Sequence, residues 1–381
     1  MKNPDNFGYY QICDLKFYSK LEAIEYHQKT GHHPHWNFNE TVFSSMDWTQ
    51  EPAESLSELY RQRAQQLRDQ YDYIVLWYSG GADSENVLCS FLDNDIKLDE
   101  VASFVNYEAT QEKINYLNAE IYEVAIPRIE EAKKHQPHLV HRLVDLCQIT
   151  MDEWNNNTNR FDWIYHFNTM LTVSSVGRQN LPLKIAEWRN LFDQGKKVAF
   201  VFGADKPRIT QTTDGNFTFR FVDMADGMVG AGTQIANNPC YNPEFFYWTP
   251  DFPKIVIKQG HVIKKYLKHA TSTSSWITEK KSDLASKIID GKIWWLNMDG
   301  VHSLIYPKWK PVPYQFKPPS PLFTPRDTWF WKLNDSVIAY QNWQSGLIKR
   351  WNMVPDYWKN DPTDLYKGYK CSWSKIYDLG R

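Results

Sequence analysis

The chain has 381 residues, 42% of them hydrophobic, with 43 Lys+Arg against 45 Asp+Glu and a formal net charge of −2. This is enough apolar material for one large or two ordinary globular domains with a real core, and the near-zero net charge offers no argument for a protein that coats nucleic acid, leaving only a local basic patch. No apolar run approaches the ~20 residues that cross a bilayer, the N-terminus lacks a signal-peptide segment, and five scattered cysteines contain no Cys-x-x-Cys pair, so a cytoplasmic protein without membrane contact, disulfide framework or cysteine-rich metal site is expected.

Tyr9 to Tyr18 has the pattern of a small hairpin. Ser19 then caps a helix from about Lys20 to Thr30, with Gly31 as its stop signal. His27, His32, His33 and His35 crowd the end of that helix, but no carboxylate or cysteine completes a metal-ligand spacing, so a solvated loop is expected. The aromatic, loop-like text from Trp36 to Pro52 makes residues 1–52 an N-terminal extension laid against the main domain. Ser55-x-x-Glu58 is a capping box that opens a helix to about Gln70, with Leu56, Leu59, Tyr60, Ala64 and Leu67 on one apolar face.

The stretch from Tyr73 to Leu92 is the part around which the rest of the chain is arranged. Tyr73 to Tyr78 is an apolar run without polar alternation, as in a strand covered on both faces, and from Val87 the apolar residues recur at helical spacing. Between strand and helix lies Ser79-Gly80-Gly81-Ala82-Asp83-Ser84. Adjacent glycines let the backbone approach a ligand closely, and their amides precede a helix N-terminus, where an anion is favoured. Ser79 and Ser84 add hydroxyls that reach phosphate oxygens. A carboxylate in such a place, Asp83, makes chemical sense when a divalent cation such as Mg²⁺ bridges it to phosphate.

These residues resemble the Ser-Gly-Gly-x-Asp-Ser signature of the PP-loop ATP pyrophosphatases, the adenine nucleotide alpha hydrolase-like superfamily. The resemblance implies an α/β fold with a Rossmann-like parallel sheet, ATP and Mg²⁺ as cofactors, and transfer of AMP to an acceptor oxygen with release of pyrophosphate. It places the triphosphate on Tyr78, Ser79, Gly80, Gly81, Asp83 and Ser84, with Asp83 holding the metal, and the adenine on the backbone around Phe104 to Asn106, after a second buried strand, Val101 to Val105.

Glu112 to about His135 is helical in pattern, with Pro127 kinking or dividing it. Leu139 to Leu146 reads as a strand, and Trp163 to Val176 and Leu183 to Phe192 as helices. Lys197 to Phe202 is the next apolar strand, emptying into Gly203-Ala204-Asp205-Lys206-Pro207-Arg208. By the resemblance this is a second phosphate-facing loop, with Gly203 and Asp205 binding ATP and Lys206 and Arg208 supplying the positive charge that departing pyrophosphate requires. Asp214-Gly215 turns a hairpin between Arg208 to Thr213 and Asn216 to Val222. Asp223 to Asn242 is glycine-rich and has the composition of a lid.

The main domain is therefore bounded at 53–240, with 241–381 as a mixed C-terminal module on the acceptor side of the pocket or at an interface. That module holds a helix from about Pro253 to Lys268, whose Lys258, His261, Lys264, Lys265 and Lys268 form a basic face. Short strands come next at Lys292 to Leu296 and Val301 to Tyr306, then a proline-rich segment from Pro307 to Pro325 and a helical pattern from Arg326 to Trp351. The 17 Trp, 22 Tyr and 20 Phe are spread along the chain, which favours core packing over one stacking stripe.

The expected activity is an ATP-dependent adenylating enzyme that activates an acceptor for attack by a nitrogen or sulfur nucleophile. The chain also resembles uncharacterised phage-encoded members related to the asparagine synthetase and PAPS reductase families, which implies a nucleobase or small-metabolite acceptor. A homo-oligomer and a nucleic-acid partner are left open. Residue 2 is Lys, so the N-terminal cysteine of glutamine-dependent asparagine synthetases is absent. Cys371 stands in Lys-Cys-Ser-Trp, which departs from the Glu-Cys-Gly of sulfonucleotide reductases and makes that alternative the weaker one. A second alternative is a module that binds ATP or AMP without turnover and uses its aromatic C-terminal region to hold a partner.

Overall fold

Tyr9–Ile12 (β1) and Leu15–Phe17 (β2) form the expected hairpin, and the Ser19 side chain accepts from the Glu22 amide to open α1, Lys20–Thr30, which Gly31 ends at φ +76°. The stretch from Trp36 to Pro52 is not only loop. It contributes β3, His35–Asn37, paired with β1, and α2, Glu40–Ser45. Trp36 and Phe43 are 1% and 0% exposed, so burial of these rings, a tertiary effect, orders a segment whose local pattern is weak. This computed structural model describes residues 3–105, 120–156, 162–165, 173–178, 181–204, 206–212, 214–223, 241–272, 285–289, 292–296, 298–310, 330, 333, 337–365 and 368–381.

The expected capping box between Ser55 and Glu58 opens α3, Leu56–Gln70. The chain then enters the central sheet at β4, Tyr73–Trp77. After α4, Ala82–Leu92, come β5, Glu100–Val105, then α5, Ile126–His135, and β6, Val140–Asp145. Helix α6, Leu146–Asn156, is next, and the chain returns as β7, Val198–Phe202. The hairpin β8, Arg208–Gln211, and β9, Phe217–Arg220, precedes β10, Tyr241–Phe245.

Among the described residues the central sheet runs β10-β7-β4-β5-β6, and every pairing in it is parallel. The protein is thus α/β, with a five-strand parallel sheet flanked by helices, consistent with a Rossmann-like fold. One face is covered by α3 and α4. The other carries Trp188, from the helix Ala186–Asp193, whose ring meets Trp77 at 5.5 Å and Phe200 at 5.0 Å between centroids. Each buried aromatic removes enough apolar surface to contribute about 1.5–3 kcal/mol, which explains strands that read as unbroken apolar runs.

β10 begins at 241, the residue with which the sequence pattern begins the C-terminal module, yet it forms an edge of the central sheet. The buried Arg63 of α3 holds its Glu244 through a 2.8 Å ion pair. Aromatic rings are core material throughout. Phe38 and Phe43 of the N-terminal segment lie 4.6 and 4.5 Å from Phe221, and Trp48 stacks on Tyr377 of the C-terminal strand Tyr377–Gly380 at 4.5 Å. The buried Lys20 of α1 pairs with Asp223 at 2.7 Å, while Asp223 accepts from Tyr10 and from the Ser372 amide, so both ends of the chain close on one carboxylate.

Several local expectations change. Val301 to Tyr306 is not a strand but the end of the helix Met298–Ile305, since a short apolar run fits either period and here Val301 and Ile305 face inward one helical turn apart. The expected helix from Trp163 to Val176 is described only as single turns at Asp162–Tyr165 and Ser175–Arg178. The helix expected at Pro253 to Lys268 runs Lys254–Ser272. Its basic face is committed internally: Glu51 takes Lys258 at 2.8 Å and Lys265 at 2.5 Å, and His261 Nε2 lies 2.9 Å from the Trp48 carbonyl oxygen. His27 is likewise no solvated side chain, because its Nδ1 lies 2.9 Å from the His32 carbonyl oxygen and its Nε2 2.7 Å from the Tyr357 hydroxyl. Most of the lid-like stretch (224–240), the proline-rich 311–325 and the helical pattern at 112–119 lie outside the described residues.

On β6, burial holds the His141 imidazole down at about 4, against an ordinary 6.5, with Lys133 pushing the same way and Glu130 opposing. Because the folded state resists the proton that the unfolded state takes up, this contribution is fully present above pH 6.5 and is lost as pH falls from 6.5 to about 4. His141→Gln is expected to flatten that limb of a stability-against-pH profile measured by urea denaturation; an unchanged slope refutes the assignment.

Candidate functional site

In chain order the sheet strands take the spatial order 3-2-1-4-5, which reverses direction between β4 and β7. Open α/β sheets bind ligands outside the carboxyl ends of their strands at such a switch point. Two loops meet there. After β4, the Tyr78 amide donates to Ala102 O at 2.8 Å, Gly80 adopts φ +81°, and Gly81 stands at the N-terminus of α4. The loop is braced by its own serines. The Ser79 amide donates to Ser84 Oγ at 3.3 Å, the Gly81 amide to Ser79 Oγ at 3.3 Å, and Ser84 Oγ to Gly81 O at 3.1 Å. The first-turn amides of α4 have no intrahelical acceptor and point, with the positive end of the helix dipole, into the space beyond the sheet.

The second loop comes after β7 and packs directly on the first. A Cβ placed on Gly203 falls 2.9 Å from the Asp83 carbonyl carbon and oxygen and 3.1 Å from the Ser84 nitrogen. These are backbone atoms that cannot step aside, so Gly203→Ala is expected to displace the 79–84 loop. Faster amide hydrogen exchange across 79–84, with the circular dichroism spectrum unchanged, is the anticipated result; unaltered exchange rules out this coupling between the loops.

Beside the loops is a cavity of about 230 Å³ with two chemically distinct ends. One is apolar and aromatic: Trp77, Phe104, Ile121, Leu181, Phe202 and Tyr241, with Trp77 stacked on Phe104 at 4.6 Å and the Arg178 guanidinium 4.8 Å from the Phe104 ring. The other is polar, made by Ser79, Gly81, Asp83, Ser84 and Gly203. The first end offers flat apolar surface and the second hydroxyls, a helix N-terminus and a carboxylate.

Asp83 is the charged centre of the polar end. Its Oδ2 pairs with Lys206 Nζ at 2.7 Å, its Oδ1 accepts from the Tyr306 hydroxyl, and its carbonyl accepts from Tyr247 at 2.9 Å. His302 Nε2 stands 3.5 Å from Oδ1, beyond a well-formed hydrogen bond. Burial alone would raise the Asp83 carboxyl, but the Lys206 ammonium beside it holds it well below the usual carboxylate range, so it is ionised at neutral pH. Burial and the nearby Asp83 charge push the Tyr306 phenol well above its ordinary value, so it remains a donor. Tyr247 stacks on Tyr306 at 5.6 Å and Tyr306 on His302 at 5.4 Å, a column that closes one side of the carboxylate.

An ionised, quarter-exposed carboxylate already holding a cation at Oδ2 is a fitting ligand for Mg²⁺, a hard ion that prefers oxygen donors. Among the described residues no group of three or more His, Cys, Asp or Glu side chains is arranged to hold a metal, so such an ion would need phosphate and water for its remaining positions.

Of the residues singled out by sequence, Tyr78, Ser79, Gly81, Asp83, Ser84, Phe104 and Gly203 line one cavity, and Lys206 reaches Asp83. Gly80 and Ala82 face the other side of the loop, toward a cleft shared with Glu85, Arg128 and Tyr306. Tyr78 donates to Glu85 Oε2 at 2.6 Å, and Arg128 Nε neutralises Glu85 at 2.8 Å. Arg208 opens β8 opposite Arg220 and lines neither cavity. Asn106 and Asp205 lie outside the described residues. The sequence pattern does not single out Tyr247, His302 and Tyr306. Tyr247 comes just after a strand unrecognised as part of the sheet, while His302 and Tyr306 share one helix face only once the segment is read with the helical period.

No family model matches the chain, and no curated protein or solved structure is similar enough to it to indicate kinship.

Proposed function

We propose that this chain is an ATP-dependent adenylating enzyme that cleaves ATP to AMP and pyrophosphate. The observation that carries this reading is the two-ended cavity at the switch point, with aromatic walls at one end and, at the other, Ser79, Gly81 at a helix N-terminus, Asp83 and Ser84. In this reading the base lies against Trp77 and Phe104, and the phosphates lie on the α4 amides and the Ser79 and Ser84 hydroxyls. Mg²⁺, when held by Asp83, neutralises charge on the departing pyrophosphate. Lys206 is placed to move from the carboxylate to a phosphate oxygen. An acceptor oxygen attacks the α-phosphorus, the bond from that phosphorus to the bridging oxygen breaks, and pyrophosphate leaves with the electron pair. The site supplies alignment and charge stabilisation, the terms on which phosphoryl and nucleotidyl transfer chiefly depend. The acceptor oxygen belongs to a nucleobase or small metabolite; an amine, ammonia or sulfur nucleophile then attacks the carbon that bears it, the carbon–oxygen bond breaks, and AMP leaves with that oxygen and the electron pair.

The test is formation of pyrophosphate and labelled AMP from α-labelled ATP and Mg²⁺ across a panel of carboxylates, amides and nucleobases. A second reading has one observation in its favour: Asp83 is already satisfied by Lys206 and Tyr306. A non-catalytic ATP or AMP sensor would therefore bind nucleotide equally well with and without Mg²⁺ and release no pyrophosphate with any acceptor.

A further inference from the structure

The His302 side chain is 3% exposed, its Nε2 has no hydrogen-bond partner, and it points at Asp83 from 3.5 Å. What sets this unpaired atom apart is its place, beside the carboxylate that also holds Lys206 and Tyr306, where a polar group entering the site would meet it. Tyr306, one helical turn later, donates to Oδ1 of the same carboxylate, while Oδ2 holds the Lys206 ammonium, the position a metal cation would take. The remaining supports are fixed by packing. Tyr60 donates to the Ile305 carbonyl at 2.7 Å and receives Gln259 Nε2 at 2.9 Å, which anchors the end of this helix to α3.

We propose that Tyr306 and His302 are positioning residues of a divalent-cation site at Asp83, reached from a part of the chain about 220 positions away in sequence. Tyr306 pins Oδ1 and so turns Oδ2 toward the cation. His302, with its ring proton on Nδ1, offers the Nε2 lone pair to a water in the cation's shell. Mg²⁺ dehydrates reluctantly and keeps several waters, so a buried acceptor at this distance suits a cation-bound water better than direct ligation. Groups of this kind that hold a metal's surroundings are worth about 10–100-fold in metal affinity. This inference rests on the adenylation reading only in taking the cation to enter with nucleotide.

The experiment is Mn²⁺ binding, read by loss of the free-ion electron paramagnetic resonance signal, with a non-hydrolysable ATP analogue present and absent. Wild type is expected to bind Mn²⁺ with the analogue. His302→Leu should weaken that binding about 10–100-fold and His302→Gln, which keeps an acceptor, should recover most of it, while metal-free analogue affinity stays the same. Tyr306→Phe should weaken binding within the same range. If wild type binds Mn²⁺ and the His302→Leu and Tyr306→Phe proteins, folded by circular dichroism, bind it equally well, the positioning role is overturned and the adenylation reading survives. If wild type binds no Mn²⁺ with the analogue, this inference fails and the metal-dependent reading of the whole site fails with it.

Discussion

Asp83→Asn is expected to lower pyrophosphate formation by at least about 10²-fold while leaving the protein folded, on the scale at which removal of one preorganised electrostatic contact acts in other active sites. The amide keeps the shape of the side chain and an oxygen that can accept from Tyr306, so the stacked column of Tyr247, Tyr306 and His302 has no reason to collapse. What disappears is the charge. An amide oxygen is a weak ligand for a hard divalent cation, and the substitution also removes the negative charge that faces Lys206. Lys206 can still contact phosphate, so nucleotide affinity should fall much less than turnover. This split between binding and kcat separates a catalytic carboxylate from a structural one. Equal loss of both, or retained turnover, would contradict the role assigned to Asp83.

The largest stability effect is expected at the Arg63–Glu244 pair. Arg63 is 0% and Glu244 1% exposed; the guanidinium also donates to the Phe245 carbonyl and Gln66, and Glu244 accepts from Tyr71. Arg63→Met strands a buried carboxylate beneath an edge strand of the central sheet. Breaking a buried pair in this way costs about 3–5 kcal/mol, more than any single apolar contact in the sheet provides. The double substitution Arg63→Met with Glu244→Gln should be less destabilised than the sum of the two single changes, because the stranded charge is gone. Urea denaturation of the four proteins measures this coupling, and additive losses would show that the pair is not the unit that holds β10 to α3.

Wherever the determining interactions are local, the sequence is legible. The Ser55–Glu58 capping box, the Ser19 cap and Gly31 stop of α1, the β8–β9 hairpin and the apolar strands β4, β5 and β7 each arise from residues within one or two turns of one another. The loop Ser79 to Ser84 belongs to this group, because its glycines, serines and acid are contiguous and its conformation is set by its own hydrogen bonds. Local sequence alone thus specifies a glycine turn between a buried strand and a helix, and a second polar turn after a later strand.

What those turns face is set by packing between distant segments. The order of the strands puts β7 beside β4, so Gly203 meets the backbone of Asp83 and Lys206 reaches its carboxylate, whereas Arg208, two residues farther on, is carried away on β8. Tyr247, His302 and Tyr306 lie some 160 to 220 residues beyond Asp83 and carry no local signature. They converge on it because β10 joins the central sheet and the helix Met298–Ile305 docks on α3 through Tyr60. The physical reason is separation: a cap or a turn is stabilised by neighbours in sequence, while the surroundings of a partly buried carboxylate are assembled by packing between segments whose meeting no short-range pattern records.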